Sequence, residues 1–213
     1  TSVCPQNCIT IMDDIFTFNA KIDELLCVNC NRCKQVCSNI GNHKTANPIE
    51  WKQGWANNSV RESSTSGGVA SAIIRTFIQL GGYVAACLFK NGEFIFELTN
   101  DLEVAKRFAG SKYVKSNPTG IYEKIKNKLK TDDVLFIGLP CQVAAIKKYV
   151  KSNRLYTIDI ICHGTPSVKL LSQFISEKGY ELNNINDIKF RNKLDMGISI
   201  DDNRLYSRRV MYE

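Results

Sequence analysis

The second half of the chain alternates short strand-like stretches with longer amphipathic ones. The continuous apolar run at 134–139 predicts a buried parallel strand, and the stretch at 156–161 predicts a second strand. Each predicted strand is followed by a helical pattern, which extends to Tyr149 after the first and to Lys178 after the second. The order strand, helix, strand, helix predicts parallel strands joined by right-handed crossovers. The predicted fold class is therefore α/β, with a parallel-type sheet and flanking helices.

The middle of the chain predicts a β-hairpin between helices. Apolar residues recur at steps of three or four from Val69 to Leu80, with Ser66 as the expected N-cap and Gly81-Gly82 as the stop. The Asn91-Gly92 pair predicts a tight turn between two strands. The ranges predicted here are strands at 83–89 and 94–98 and helices at 102–108 and 118–129. Two further strand-like stretches, 187–191 and 197–206, have no predicted place in the sheet.

Composition changes this picture at the N-terminus, because six of the nine cysteines lie within the first 37 residues. A disulfide scaffold would spread its cysteines through a shorter, secreted chain, and no signal segment opens this one. The run Cys27-x2-Cys30-x2-Cys33-x3-Cys37 has the spacing of bacterial 4Fe-4S ferredoxins. Structural zinc, the alternative, usually uses two cysteine pairs separated by a long spacer.

Ferredoxin spacing also predicts which cysteines act together. In two-cluster ferredoxins the fourth cysteine of each run binds the other cluster, and Cys4-Pro5 resembles the end of a preceding run. One 4Fe-4S cluster is therefore predicted on Cys4, Cys27, Cys30 and Cys33. Cys37 would serve a second cluster whose other ligands lie outside this chain, and Cys8 is expected to be a packing residue.

These patterns divide the chain into a small ferredoxin-like iron–sulfur module at 1–45, a linker at 46–60 and an α/β domain at 61–213. The linker is polar and carries Trp51 and Trp55. The first residue is Thr1, and the last residues, 208–213, have the pattern of an interrupted strand. We therefore expect a fragment that is truncated at both ends.

Charge and hydropathy exclude several classes of protein. The formal net charge of +7 counts cysteines as neutral, and the chain has no arginine-rich or aromatic-interleaved stripe, so nucleic acid is not an expected partner. No apolar run reaches the roughly 18 residues of a membrane helix. We expect a cytoplasmic protein without a membrane span.

Three loops of the predicted α/β domain carry polar or reactive groups. The Ser- and Gly-rich loop at 61–68 precedes a helix, a setting that suits phosphate but also caps ordinary helices. Loop 110–113 adds lysine and hydroxyl groups. Cys141 and Cys162 follow the two predicted parallel strands, at the sheet edge where α/β folds bind ligands. They fit a core role, a nucleophile pair of Cys141 with His163, or cluster ligation.

Four motifs occur together in the order seen in one family: Arg61-Glu-Ser-Ser-Thr-Ser-Gly-Gly, Gly110-Ser-Lys-Tyr, Gly138-Leu-Pro-Cys-Gln-Val-Ala and Ile161-Cys-His-Gly-Thr-Pro-Ser. Over about 4–191 the chain resembles the beta subunits of coenzyme F-420 hydrogenases and dehydrogenases. It is most similar to bacterial members with an N-terminal two-cluster ferredoxin module. The resemblance implies FAD in the α/β domain, near a 4Fe-4S cluster.

The resemblance also implies positions for the cofactors. Two loops would contact the flavin nucleotide through Ser64, Ser66, Gly67, Gly68, Gly110, Ser111, Lys112 and Tyr113. Lys112 would meet a phosphate or the flavin itself. Cys141 and Cys162 match cysteines that hold the flavin-proximal cluster with a downstream C-x2-C pair, which this sequence lacks. No catalytic residue is implied, because the cofactors carry the redox chemistry.

The predicted function is an iron–sulfur flavoprotein oxidoreductase that passes electrons between 4Fe-4S clusters and FAD to an organic two-electron acceptor. Coenzyme F-420 is one candidate acceptor, and a redox protein or subunit is the expected partner. The alternative is a flavin-free, ferredoxin-like electron-transfer or docking module. A more distant alternative is a transferase that uses Cys141 and His163.

Overall fold

The computed structural model describes residues 2–16, 18–41, 47–192 and 195–207, so the predicted strand-like ending at 208–213 lies outside the described residues. In chain order the elements are β1 (Ile9–Asp13), β2 (Phe18–Ile22), α1 (Arg32–Val36), α2 (Asn58–Glu62), α3 (Val69–Gln79), β3 (Tyr83–Lys90), β4 (Glu93–Thr99), α4 (Leu102–Lys106), α5 (Ile121–Lys128), β5 (Val134–Gly138), α6 (Pro140–Tyr149), β6 (Leu155–Asp159), α7 (Val168–Ser176), a 3-10 helix (Leu182–Asn184), β7 (Ile188–Asn192), β8 (Asp195–Ile200) and β9 (Asn203–Ser207).

The central sheet has the strand order β4-β3-β5-β6. Strands β3, β5 and β6 are parallel, and β4 pairs antiparallel with β3 across the predicted Asn91-Gly92 turn. Every residue of β5 is buried, which explains why this strand is a continuous apolar run. The predicted α/β fold class is confirmed.

Helices cover both faces of this sheet. Side chains alternate between the two faces along each strand, so neighbouring residues of β5 pack with different helices. Val134 and Phe136 of β5 pack with residues of α5 and α6. Leu135 and Ile137 pack on the other face, with residues of α3 and α4. The short connection between α3 and β3 turns the chain back, so the start of α3 lies toward the carboxyl ends of the parallel strands.

A second, three-stranded antiparallel sheet follows, in the order β7-β8-β9. Its apolar residues share a core with α7 and with Phe89 and Phe94 at the β3–β4 turn. The single strand predicted at 197–206 is wrong. Asp201 and Asp202 both have positive φ, +46° and +65°, and they form the turn that separates β8 from β9.

Two predicted helix starts are also wrong for a shared reason. The N-cap of α3 is Gly68, with φ +75° and no side-chain capping bond, rather than Ser66. Helix α5 begins at Ile121 rather than at 118, after Gly120 with φ +78°. In both places a glycine adopts the left-handed backbone that ordinary residues avoid, so the helix starts after it.

The N-terminal residues form a hairpin, β1–β2, and the short helix α1. Two contacts join them to the α/β part: Ser167 Oγ donates to Asp13 Oδ2 at 2.5 Å, and Lys148 Nζ donates to the carbonyls of Cys37 and Ile40, both at 2.7 Å. Within the predicted linker, residues 47–57 have no regular secondary structure and α2 begins at Asn58. The domain boundaries stay a prediction. No helix in the described ranges is long and apolar enough to cross a membrane.

Candidate functional site

The first candidate site is a small cavity between the start of the chain and the cysteine run. Its lining includes all four cysteines predicted to share a cluster, together with a fifth: Cys4, Cys8, Cys27, Cys30 and Cys33. Cys37 is not among the lining residues. The cavity thus groups residues up to 29 positions apart as the ferredoxin spacing predicts, although their roles as ligands stay predictions.

Two asparagines shape the cysteine run around this cavity. Asn29 and Asn31 have φ of +52° and +58°, in the left-handed region that asparagine tolerates better than most residues. Each reverses the chain beside a cysteine, so Cys27, Cys30 and Cys33 all reach the same cavity. After Asn31 the backbone enters α1, whose first residues donate to the Asn31 carbonyl.

Cys4 and Cys8 interact directly, with 3.3 Å between their sulfur atoms. The backbone N–H of Cys8 lowers the pKa of the Cys4 thiol. The hydrogen bond with Cys4, together with burial, raises the pKa of Cys8 to about 11. Cys4 is therefore the more acidic thiol of the pair.

The cavity brings together the thiol donors that the predicted iron–sulfur cluster would need. In the described part of the chain, no three His, Cys, Asp or Glu side chains come close enough together to bind one metal ion. A cubane cluster needs its thiolates further apart, because each binds a different iron. Thiolates at C-x2-C-x2-C spacing with one distant cysteine are the ligand set of such a cluster, and the cavity holds these residues.

The second candidate site lies at the carboxyl edge of the central sheet. Cys141 is the second residue of α6, directly after β5, and Cys162 follows β6, the neighbouring parallel strand. Both are exposed, so the core role considered for them is wrong. The Gly164 N–H donates to Cys162 Sγ at 3.2 Å. Within the described residues, no hydrogen bond joins Cys141 to His163.

A buried glutamine fixes this edge, a role that the sequence motifs did not predict. Gln142 Oε1 accepts from the Leu139 N–H at 2.9 Å, and Nε2 donates to Ser116 Oγ at 3.0 Å. The Lys115 N–H donates to the Pro166 carbonyl at 2.9 Å. The segment that follows Gly110–Tyr113 therefore joins two of the four motifs here, the turn with Cys141 and the loop with Cys162. The sequence did contain one signal for this role, which is the polar residue Gln142 within the otherwise apolar start of a helix.

Close packing in the same turn requires a glycine at position 138, the last residue of β5. A Cβ added at this position would lie 2.7 Å from Phe136 Cε1 and 3.1 Å from Gln142 Oε1. The first distance is shorter than real Cβ contacts. A side chain at 138 would therefore displace the ring or the glutamine that holds Cys141 in position.

The loop at 110–113 separates its predicted flavin contacts. Gly110 and Ser111 are exposed, and Tyr113 lines an apolar groove. Lys112 Nζ donates to three carbonyls at the end of α4: Arg107 at 3.3 Å, and Phe108 and Ala109 at 2.9 Å. Burial lowers the pKa of Lys112 to about 8. Its ammonium group caps a helix, so contact with a flavin would require exchange of these bonds.

The Ser- and Gly-rich loop packs back on the residues before it. Ser64 Oγ donates to the Val60 carbonyl at 2.8 Å, and the Gly67 carbonyl accepts from the Ala56 N–H at 2.7 Å. Ser66 is exposed. Gly68 starts α3, an 11-residue helix whose first N–H groups carry the positive end of the helix dipole. The predicted role of this loop toward phosphate stays a prediction.

An apolar groove of about 540 Å³ lies between α7 and the three-stranded sheet. Aromatic and aliphatic side chains form most of its wall, among them Tyr113, Phe174, Phe190, Met196 and Tyr206. Pro166, from the loop after Cys162, is also part of the lining. The groove therefore adjoins the loop that carries Cys162.

Comparison with known proteins identifies the part of the chain that forms this edge and the second sheet. Residues 131–209 match the family model for the C terminus of the coenzyme F420 hydrogenase/dehydrogenase beta subunit. This part of the chain belongs to that family. The predicted beta-subunit family is thereby confirmed, and the match includes Cys141, Cys162 and strands β5 to β9.

A beta-subunit assignment agrees with the fold of a solved structure. A chain of the F420-reducing [NiFe] hydrogenase complex from Methanosarcina barkeri has a similar fold, with a TM-score of 0.56 and 14% sequence identity. The similarity covers 72% of this chain and 57% of that chain, so this chain spans little more than half of that relative. Among curated proteins, none matches this chain.

Proposed function

We propose that the chain is the electron-transferring part of an iron–sulfur flavoprotein oxidoreductase. In this function electrons pass between 4Fe-4S clusters and FAD and reach an organic two-electron acceptor. The observation that carries the proposal is the cavity at which Cys4, Cys27, Cys30 and Cys33 meet. The family match of residues 131–209 supports a redox role for the α/β part.

The iron–sulfur module would supply its ligands in two groups. Cys4, Cys27, Cys30 and Cys33 would hold one cluster, and Cys37 would contribute to a second cluster with ligands from elsewhere. Cys141 and Cys162, exposed at the sheet edge, suit a further cluster completed by other cysteines. When bound, such clusters supply one-electron steps and the flavin converts these to two-electron chemistry.

The α/β part offers two surfaces that suit a flavin. The loop at 61–68 precedes α3, and backbone N–H groups at a helix start bind phosphates well. The loop at 110–113 adds Gly110 and Ser111, which are exposed. The apolar groove suits a flat, largely apolar ring, and Tyr113 connects loop 110–113 to it. The side chains would orient the ring and exclude water, while loop residues hold the nucleotide.

The proposed function includes a partner and a compartment. A redox protein or subunit would exchange electrons with the cluster module, and a small molecule such as coenzyme F-420 would be the acceptor. Every cysteine of the described chain is a free thiol, which suits the reducing cytoplasm.

The proposal is tested on the protein purified without oxygen, by measuring iron, acid-labile sulfide, zinc and released flavin. We expect iron and sulfide for at least one cubane, together with FAD. Cys30→Ala, at a predicted ligand that is exposed, should lose this iron. Cys87→Ala, at a partly buried cysteine that is not a predicted ligand, is the matched control and should retain it. Zinc without sulfide would overturn the proposal.

A flavin-free electron carrier is the second candidate, and the bonding of Lys112 favours it. All three donated hydrogen bonds of this ammonium group go to backbone carbonyls, so the predicted flavin contact has no free donor there. The same measurement separates the candidates. Intact clusters without flavin, and no FAD uptake when FAD is added, would select the carrier.

A further inference from the structure

The cluster cavity contains one cysteine more than a cubane cluster needs. Such a cluster binds one thiolate at each of four irons, yet Cys8 lines the cavity together with the four predicted ligands. A packing role alone does not require a sulfur atom within contact distance of a predicted ligand. The position of this fifth sulfur therefore needs a separate explanation.

Cys8 lies next to one ligand in particular. Its sulfur is 3.3 Å from that of Cys4, and its side chain is only 5% exposed. Its backbone is held by the hairpin, because its carbonyl accepts from the Asp23 N–H at 2.8 Å. Cys4 is held by a longer bond, from the Asn7 N–H at 3.3 Å. The fifth sulfur is thus held by the hairpin beside the Cys4 sulfur.

We propose that Cys8 is a reserve ligand for the iron that Cys4 binds, an inference that rests on the proposed iron–sulfur function. In the exchange, the bond between iron and Cys4 Sγ breaks and a bond between the same iron and Cys8 Sγ forms. The Cys8 thiol loses its proton, and the released Cys4 thiolate gains one. No electron is transferred, so the cluster keeps its oxidation state and its four irons.

The exchange allows the cluster to survive loss of one ligand. Oxidation or substitution of Cys4 would otherwise leave an iron with an open position. Cys27, Cys30 and Cys33 come from one continuous turn, and the sulfur contact seen at Cys4 is with Cys8. The reserve therefore protects first the Cys4 corner of the cluster, where the sulfur atoms are 3.3 Å apart, although Cys27 also interacts with Cys8.

Four variants of the full chain test this inference: Cys4→Ala, Cys8→Ala, the double variant and Cys30→Ala. Alanine is used because a serine oxygen can itself bind iron. Iron and sulfide per chain are measured after anaerobic purification, and the reduced cluster is recorded by electron paramagnetic resonance. We expect Cys4→Ala and Cys8→Ala to retain the wild-type iron content, with a shifted resonance in Cys4→Ala alone. The double variant and Cys30→Ala should lose the cluster.

Two outcomes would overturn the inference while leaving the proposed function intact. One is a Cys4→Ala protein that loses as much iron as the double variant. The other is a three-iron cluster in Cys4→Ala, recognised by a resonance in the oxidised protein, because Cys8 would then have failed to hold the fourth iron. A wild-type protein without cubane iron would instead contradict the proposed function itself.

Discussion

The cysteine segment at 2–41 and the central sheet are built on opposite principles. In the described part of that segment, Cys8 is the single buried hydrophobic residue. Large apolar side chains such as Phe16 and Leu25 are 94% and 97% exposed. In the sheet, every residue of β5 is buried between two layers of helices. The sheet has its own core, and the segment has almost none.

This difference shows where each region obtains its stability. A sheet with two apolar faces gains about 25 cal/mol for each Å² of apolar surface that it buries. A short segment without a core needs a metal centre, disulfides or docking to stay folded. The segment has free thiols and two hydrogen-bonded contacts with the α/β part. Its fold should therefore depend on the cluster, and that of the sheet should not.

The largest effect is expected on removal of iron. A chelator applied to the reduced protein should abolish the protection of backbone amides in β1, β2 and α1 against hydrogen exchange, because binding energy is folding energy in such modules. The amides of β5 should keep their protection. Mass spectrometry of peptides from both regions measures this. Equal loss of protection in β5 would contradict the conclusion that the sheet is stable without the cluster.

A matched pair of phenylalanines should separate the regions next. Phe136 is fully buried and stacks on Phe96, so Phe136→Ala should lower the free energy of unfolding by about 3–5 kcal/mol. Phe16→Ala, at a side chain that is 94% exposed, should change it by less than about 0.5 kcal/mol. Urea unfolding followed by circular dichroism gives both values. Similar losses would mean that Phe16 has a core of its own.

The pH dependence of the free energy of unfolding tests whether the buried Lys112 contributes to the stability of the α/β part. The pKa of Lys112 is about 8 in the folded chain against 10.5 in the unfolded one, because of burial. Between these values the unfolded chain holds a proton that the folded chain has released. The free energy of unfolding should therefore rise with pH, by up to about 1.4 kcal/mol per pH unit.

The measurement compares urea unfolding of the wild type with that of Lys112→Met over this pH range. The variant should lack the rise. Lys106→Met, at an exposed lysine of α4 with an ion pair to Glu103, is the control and should retain it. The same slope in all three proteins would show that other groups produce it.

The smallest effect is expected at the contact between the two regions. Lys148→Met removes the two hydrogen bonds to the Cys37 and Ile40 carbonyls. A loss of about 1 kcal/mol would make amide exchange in α1 about fivefold faster. Exchange in β5 should not change. Lys147→Met, at the exposed neighbour on α6, should leave α1 unaffected, and an equal effect there would exclude a specific role for Lys148.

The central fold was predictable because its signals are local and strong. Strands β3 and β5 are largely apolar runs, β6 repeats the strand-then-helix order after β5, and the Asn91-Gly92 turn marks the hairpin with β4. The hairpin β1–β2 was missed because β1 is mostly exposed, so it lacks the alternation of a strand that packs on a core. The Asp201-Asp202 turn was missed although two adjacent aspartates are a turn signal.

The candidate sites were predictable to a different extent. Cys4 and the distant cysteine run line one cavity, in agreement with the grouping that ferredoxin spacing predicts, and their shared cluster stays a prediction. The spacing gave Cys8 no place there. The bond from Lys148 to Cys37 joins residues 111 positions apart, and no local pattern encodes such a contact. The helix-capping bonds of Lys112 were equally hidden, since a lysine in a loop usually faces solvent.

The close packing around Gly138 has a consequence for how related sequences diverge. The ring of Phe136 and the amide of Gln142 occupy the volume that a side chain at 138 would need. A mutation at any one of these positions is therefore compatible with the same turn only when its neighbours change as well. We expect positions 136, 138 and 142 to covary among related sequences. A scan of single substitutions should find Gly138 the least tolerant residue of the turn.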